Sequence, residues 1–290
     1  MKPAPFDYHA PRSVEETLDL LARFGDEAKV LAGGQSLVPL MNFRLARPAN
    51  IVDINRVGEL DYVRPADGGL AIGALTRHYV LEEDPQIAER CPMLPRIASL
   101  IGHAQIRHRG TVGGSIAHAD PVAELPLAAA VLDAEIDVRG PNGTRTLKPP
   151  EFFVHYLMTS MEPTELLTEV RFPALPAGAG WSVQEFARRH GDFAIVAAAA
   201  IVEAENGICR SARVAVAGGR PTPFRSEGAE AALVGQPLGA EAFAAAANAA
   251  ADESDPEGDI HGSADYRRKM VRVFVRRTLE EAASRVGKGS

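Results

Sequence analysis

The segment Ala32-Gly33-Gly34-Gln35-Ser36 decides the fold, together with a second glycine pair in Gly110-Thr111-Val112-Gly113-Gly114-Ser115. The first segment follows the apolar run Lys29-Val30-Leu31, and we predict that each segment is a strand ending in a tight turn before a small hydroxyl residue. Glycine lacks a Cβ, so the backbone can adopt positive φ and a ligand can approach closely. Successive amide N–H groups in such a turn form an anion-binding concavity. Two concavities could hold a pyrophosphate from both sides, which predicts a dinucleotide cofactor.

Neither segment matches the two common phosphate-binding motifs. A P-loop requires a lysine after its glycines, and a dinucleotide-binding Rossmann turn requires Gly-x-Gly-x-x-Gly at the start of a helix. Each glycine pair alone could also be a structural connection between a strand and a helix. The two segments together favour a cofactor-binding fold that is neither a P-loop nor a Rossmann fold.

The composition indicates an ordinary globular protein. The 290 residues are 46% hydrophobic and 24% charged, and the net charge is −7 without a basic cluster, which argues against a nucleic-acid partner. No apolar run is long enough for a membrane span, and the N-terminus lacks a signal-peptide core, so we expect a cytoplasmic protein. Cys91 and Cys209 are too few for an iron–sulfur cluster, and we expect both to be buried. No metal site is expected on this chain.

Local patterns predict alternating helices and strands and one major boundary. Ser13 and Gly25 delimit an amphipathic helix, and hairpins are expected around Asp67-Gly68-Gly69 and Gly140-Pro141-Asn142-Gly143. The stretch 173–180, rich in proline, alanine and glycine, predicts a domain boundary. Three strands, two alanine-rich helices and a final helix to about Ala283 are expected after it.

No catalytic grouping is evident. Most of the histidines are expected at the surface, but His118 and Asp120 follow the second glycine pair and are placed near its ligand. Asp120 before Pro121 is also a candidate helix N-cap, and Glu124 lies one helical turn later. The run Arg107-His108-Arg109 is expected to be a solvated edge or subunit contact. Phe193 could cover a flat ring or pack in the core.

Four motifs in this order carry a resemblance to a known family. They are Ala32-Gly33-Gly34-Gln35-Ser36-Leu37, residues 111–121, Gly191-Asp192-Phe193-Ala194 and Asp259-Ile260-His261-Gly262-Ser263. Together they resemble the FAD-binding medium subunit of molybdenum hydroxylases, in the carbon monoxide dehydrogenase and quinoline oxidoreductase branch. The resemblance implies an α+β chain. Its p-cresol methylhydroxylase-type FAD domain would cover 1–175, with two α/β subdomains of about 1–57 and 58–175, and a small C-terminal α+β domain would cover 178–290.

The resemblance also implies a set of FAD-binding residues. The first glycine segment and residues 111–115 would wrap the pyrophosphate and ribityl chain, Lys29 would lie near the ADP part, and Phe193 would lie over the isoalloxazine. Ile101 and Leu167 match positions that pack on the cofactor. The full set implied is Lys29, Leu31, Ala32, Gly33, Gly34, Gln35, Ser36, Leu37, Ile101, Thr111, Gly114, Ser115, His118, Asp120, Glu124, Leu167 and Phe193.

In the family, [2Fe-2S] clusters lie on a small subunit and molybdopterin cytosine dinucleotide lies on a large subunit. The resemblance therefore implies a dimer of heterotrimers in which this chain passes electrons from the clusters through FAD to an external acceptor such as a quinone, a cytochrome or oxygen. Two alternatives stay open on the sequence. One is a stand-alone FAD-dependent oxidoreductase of the same fold, and the other is a non-redox nucleotide-binding or scaffold module.

Overall fold

A small parallel sheet opens the chain in the computed structural model, which describes residues 2–66 and 68–288. Its strand order is β1-β3-β2, and α1 and α2 occupy its connections. The Oγ of Ser13 accepts from the amide of Glu16 at the start of α1, and Gly25 ends the helix with a φ of 50°. The elements are β1 (Asp7–His9), α1 (Val14–Phe24), β2 (Ala28–Leu31), α2 (Leu37–Asn42) and β3 (Asn50–Asp53).

A five-stranded antiparallel sheet with the order β4-β5-β10-β6-β7 forms the next layer, and short helices cover it. Both predicted hairpins are present, although Asp67 of the first turn lies outside the described residues. The five strands are β4 (Val63–Ala66), β5 (Gly69–Gly73), β6 (Glu135–Gly140), β7 (Gly143–Leu147) and β10 (Leu166–Pro173), and β8 (Phe153–His155) and β9 (Met158–Thr159) form a separate two-stranded sheet. The helices are α3 (His78–Glu83), α4 (Pro85–Arg90), α5 (Met93–Ala98), α6 (Ala104–Arg107), α7 (Val112–His118), α8 (Glu124–Leu132) and α9 (Pro149–Phe152).

The remaining residues form a four-stranded sheet with three helices on one face. The sheet has the order β11-β12-β13-β14, and α12 packs against β11 and β12. The elements are β11 (Gly180–Phe186), β12 (Val196–Glu205), β13 (Ile208–Ala217), β14 (Phe224–Arg225), α10 (Glu227–Leu233), α11 (Ala240–Asp252) and α12 (Ala264–Arg285). The three predicted strands, the two alanine-rich helices and the final helix are present in the predicted order, and the short fourth strand β14 was not predicted.

The two faces of this last sheet belong to two different hydrophobic cores, because successive side chains of a strand point to opposite faces. On β11, Ser182 and Gln184 donate to Glu281 of α12, whereas Val183 joins the core of the preceding sheet. Helices α5 and α8 cover that second face. Every residue of α8 from Leu125 to Leu132 is buried, so this helix is the centre of the molecule.

Several sequence predictions are wrong in instructive ways. The second glycine pair lies in the first turn of α7 and not after a strand. Asp120 does not cap α8, whose N-cap is Ala123. Oδ1 of Asp120 instead accepts from the amide of Val122 in the turn before the helix. His78 is buried, with 5% of its surface exposed, although a surface position was expected. Arg107 is not a solvated edge, since it is paired with Glu82.

Both cysteines are buried and free, as predicted. Among the described residues, no helix combines the length and the apolar character that crossing a bilayer requires.

Candidate FAD site

The first glycine turn presents a row of unused amides. Within the described chain, none of the backbone N–H groups from Gly33 to Leu37 donates to another residue. Gly34 has a φ of 74°, a conformation that side-chain-bearing residues rarely adopt, and Nε2 of Gln35 donates to the carbonyl of Gly33 at 3.1 Å. Successive free amides at the end of a strand bind anions. This turn therefore has the concavity that the sequence predicts.

The second glycine pair serves a different purpose. The amides of Val112 and Gly113 donate to the carbonyls of Thr76 and Ala74, each at 2.9 Å, and the amide of Gly114 donates to Oγ1 of Thr111 at 3.1 Å. These amides are used inside the protein, so the segment is not a second open concavity. A Cβ at Gly113 would lie 2.5 Å from the Cβ of Ala74, which shows that glycine here permits close packing of α7.

The two glycine segments are in direct contact. A Cβ at Gly33 would lie 2.4 Å from the carbonyl oxygen of Arg109 and 2.8 Å from the Cα of Gly110. A Cβ at Gly114 would lie 3.8 Å from the Cβ of Ala32. The predicted convergence of residues 32–37 and 111–115 is therefore present, and it depends on the absence of side chains at the contact.

His78 supports the second segment from below. Its Nε2 lies 2.8 Å from the carbonyl oxygen of Thr111, and a Cβ at Gly110 would collide with the ring. Burial lowers the pKa of His78 to about 4, so the ring is neutral at physiological pH. A neutral ring that donates from Nε2 has an unprotonated Nδ1, and Nδ1 is buried without a partner among the described residues.

Helix α7 connects the glycine segments to a large cavity. Its seven residues span about 10 Å at 1.5 Å each, and His118 and Asp120 lie at its far end. The cavity has a volume of about 850 Å³ and lies between Asp120, Tyr156 and the loop around Phe193. Burial lowers the pKa of His118, and the charge of Asp120 offsets part of that effect.

Phe193 projects into open space at this cavity, with 78% of its surface exposed. Core packing is therefore excluded for this side chain. Asp259 and His261 of the Asp259-Ile260-His261-Gly262-Ser263 motif line another wall of the cavity, and Oδ2 of Asp259 accepts from Nη2 of Arg267 at 2.7 Å. Arg267 is buried and also donates to the carbonyl of Ile195, so it fixes this wall to the residue that precedes β12.

Two carboxyl groups with raised pKa values lie where the two cores meet. Glu124 begins α8, and Glu185 lies on the same face of β11 as Val183. Burial raises the pKa of Glu185 to about 7, and burial with the negative charge of Glu185 raises the pKa of Glu124 to about 8. The Oε2 of Glu185 is buried and has no partner among the described residues.

The other residues implied by the resemblance lie in different surroundings. Lys29 is exposed on β2, on the same face as Leu31, whose side chain lies against Gly34. Ile101 and Leu167 are buried in the core below α5 and α8, with 7% and 3% of their surfaces exposed. Ser36 and Ser115 are half-buried beside the glycine segments.

The residues present fit FAD. The free amides of the first turn suit a diphosphate, and the cavity with its exposed aromatic side chain suits a flat ring at the other end of α7. Sequence patterns did not identify His78 or Glu185, nor Arg77 and Asn55, whose side chains are hydrogen-bonded to each other beside the glycine segments, since each contacts residues distant in the sequence. The signal that could have identified His78 and Glu185 is that apolar residues lie close to them in the sequence.

Two family models match the chain in succession. The model described as the FAD binding domain in molybdopterin dehydrogenase matches residues 4–175. The model described as the CO dehydrogenase flavoprotein C-terminal domain matches residues 181–282.

Named relatives match over nearly the full length. The chain is 48% identical to the 6-hydroxypseudooxynicotine dehydrogenase complex subunit alpha of Paenarthrobacter nicotinovorans, covering 98% of this chain and 97% of that protein. It is 39% identical to the carbon monoxide dehydrogenase medium chain of Hydrogenophaga pseudoflava, covering 98% and 99%.

Solved structures share the fold. A carbon monoxide dehydrogenase chain from Hydrogenophaga pseudoflava matches with a TM-score of 0.96 and 40% identity, covering 99% of this chain and 100% of that chain. Quinoline 2-oxidoreductase from Pseudomonas putida 86 matches with a TM-score of 0.93 and 36% identity, covering 98% and 99%. The chain therefore belongs to the family of FAD-binding medium subunits of molybdenum hydroxylases.

Proposed function

We propose that this chain is the electron-relay subunit of a three-subunit molybdenum hydroxylase. When bound, FAD supplies a ring that accepts electrons one at a time from [2Fe-2S] clusters on a small partner subunit and passes them to an external acceptor. The observation that carries the proposal is the free-amide turn at Gly33–Leu37, connected by α7 to a cavity lined by Phe193.

Each part of the site has a proposed task. The amides of residues 33–37 hold the diphosphate, and Ser36 and Ser115 are available to donate to phosphate or ribityl oxygens. Phe193 covers one face of the ring and limits access of water. Asp120 lines the cavity at the ring end of the site, and Glu124 is proposed to lie near the ring and to hold a proton on its carboxyl oxygen at neutral pH. Lys29 is proposed to lie near the ADP part of FAD, and Ile101 and Leu167 are proposed to pack on the cofactor.

The substrate is proposed to be oxidised on another chain. The relatives are named for 6-hydroxypseudooxynicotine, carbon monoxide and quinoline, and yet the two matched structures have TM-scores of 0.93 or higher to this chain. Because the fold of this subunit stays constant while the named substrates differ, we propose that the substrate is selected on another chain. A large subunit with molybdopterin cytosine dinucleotide and assembly as a dimer of heterotrimers complete the proposal.

We also propose that residues 1–175 and 178–290 are two domains, the first divided near residue 57. The ranges of the two family models support the first division, and the separate sheets formed by β1–β3 and by β4–β7 with β10 support the second. The cytoplasm is the proposed location.

The test is the composition of the native complex isolated through a tag on this chain. FAD with about four irons and about one molybdenum per copy supports the relay subunit. FAD without co-purifying chains, together with turnover of a substrate, would support a stand-alone oxidoreductase. No flavin would contradict both. The same tagged chain produced without partner genes is the control, and it should contain FAD but neither iron nor molybdenum.

A further inference from the structure

The guanidinium of Arg77 connects the two glycine segments. Its Nη1 donates to the carbonyl oxygen of Arg109 at 2.5 Å, beside the contact between Arg109 and Gly33. Its Nη2 donates to Oδ1 of Asn55 at 2.7 Å. Two bonds from one planar group fix both the distance and the angle between their acceptors.

Asn55 continues the connection to the first turn. Its Nδ2 donates to the carbonyl oxygen of Ala32 at 2.8 Å, the residue just before Gly33. Asn55 is itself held by Asp53, whose Oδ1 accepts from the Asn55 amide at 2.9 Å and whose Oδ2 accepts from the hydroxyl of Tyr8 at 2.7 Å. A continuous chain of hydrogen bonds therefore runs from the carbonyl of Ala32 through Asn55 and Arg77 to the carbonyl of Arg109.

The backbone alone does not supply this connection. Residues 76–78 pair with the second segment, where the amide of His78 donates to the carbonyl of Gly110 and the amide of Val112 donates to that of Thr76. No backbone hydrogen bond joins residues 32–37 to residues 109–115 within the described chain. The two segments are held together by the Gly33 contact and by the Arg77–Asn55 bridge.

We propose that Arg77 is a positioning residue which, through Asn55, sets the separation of the two glycine segments and thereby the affinity for FAD. The proposal rests on the proposed function, since it assumes that FAD lies along these segments. Arg77 acts by holding carbonyl groups on either side of the cofactor. Loss of the bridge leaves both segments folded, and FAD must then bring them into register itself, which weakens binding.

The test compares FAD binding and apo-protein stability in matched variants of the full-length chain. The variants are Arg77→Met, Asn55→Ala and the double variant, with Arg139→Met as the control because Arg139 forms an exposed pair with Glu15 in the same half of the chain. Binding is measured by quenching of FAD fluorescence, and thermal unfolding is measured without FAD. The visible circular dichroism of bound FAD reports the geometry of the site.

We expect Arg77→Met to raise the Kd for FAD by about tenfold to hundredfold, the range for losing a charged hydrogen bond. Asn55→Ala should have a comparable effect. The double variant should bind FAD no more weakly than the single variant with the lower affinity, since both substitutions break the same bridge. Arg77→Lys should recover only part of the affinity, because an ammonium lacks the planar fork.

Unchanged affinity in Arg77→Met, additive losses in the double variant, or a loss of affinity that only follows a loss of apo-protein stability would each overturn the proposal. If the parent chain itself binds no FAD, the proposed function fails first and this inference fails with it. If the parent binds FAD while Arg77→Met binds equally well, only the positioning role is lost.

Discussion

The Cα of Gly33 lies against the carbonyl oxygen of Arg109, so closely that a Cβ at Gly33 would come within 2.4 Å of that oxygen. The neighbouring atom belongs to the backbone and cannot rotate away. This contact, together with the Arg77–Asn55 bridge, joins the anion-binding turn to the segment that precedes α7. It explains why the turn requires glycine at a position whose φ is not in the left-handed region.

Gly33→Ala should therefore weaken FAD binding strongly. Overpacking costs about 1–3 kcal/mol, which corresponds to a loss of about fivefold to 150-fold in affinity if the segments separate to accept the methyl group. The measurement is FAD affinity by fluorescence quenching. Gly58→Ala is the matched control, because a Cβ at Gly58 meets nothing within 4 Å. Equal affinity in the two variants would contradict the role of the contact.

The neutral ring of His78 predicts acid sensitivity. Its pKa is about 4 in the folded chain and near 6.5 when unfolded, so between these values the unfolded state binds a proton that the folded state excludes. The contribution of His78 to the free energy of unfolding should fall by about 1.4 kcal/mol for each pH unit from 6.5 towards 4. Denaturant unfolding of the FAD-free chain at a series of pH values measures the total slope, from which a non-titrating variant at position 78 separates this contribution.

His78→Gln provides the comparison for that slope. Its amide can still donate to the carbonyl of Thr111 and does not titrate, so its stability should depend less on pH by the contribution of one proton. A slope identical to that of the parent chain would show that His78 is not the group responsible.

The raised pKa of Glu185 predicts a contribution of the opposite sign over an overlapping pH range. Between its unfolded value of 4.5 and its folded value of about 7, the folded state binds the extra proton, so stability falls as the pH rises. Glu185→Gln removes this penalty and should be more stable than the parent chain at pH 8 but not at pH 4.5. Chemical denaturation at the two pH values tests this.

Glu124→Gln should behave similarly, with its effect extending to a higher pH, because burial and the charge of Glu185 raise the pKa of Glu124 to about 8. Since the two carboxyl groups interact, the double variant should gain less than the sum of the single variants. Additive gains would mean that the two groups titrate independently.

Local sequence signals predicted much of this fold. Ser13 and Gly25 delimit α1 as expected, because capping depends on neighbours within one helical turn. The glycine pair at Gly33 was placed correctly as a turn. The second pair was predicted to follow a strand by analogy with the first, but Thr111 forms an isolated bridge with Arg77 and the pair lies in α7.

Much of the site could not be predicted for the same reason. Arg77 reaches acceptors that are 32 and 22 residues away, and no local pattern marks such a bridge. Asp120 looked like a helix cap because proline follows it, but α8 begins only at Glu124, where packing between the two cores takes over. Glu185 appeared as one acidic residue in a strand, and its significance depends on which face of the sheet α5 and α8 cover.

Phe193 offers the most direct test of where the ring of FAD lies. The side chain is 78% exposed and lines the cavity, so Phe193→Ala should leave the stability of the FAD-free chain within about 0.5 kcal/mol of the parent. If Phe193 covers the ring, its removal should increase the fluorescence of bound FAD and its quenching by iodide. Ile260→Ala is the control, because Ile260 is 92% exposed on the neighbouring loop. Equal fluorescence and iodide access in both variants would place the ring away from Phe193.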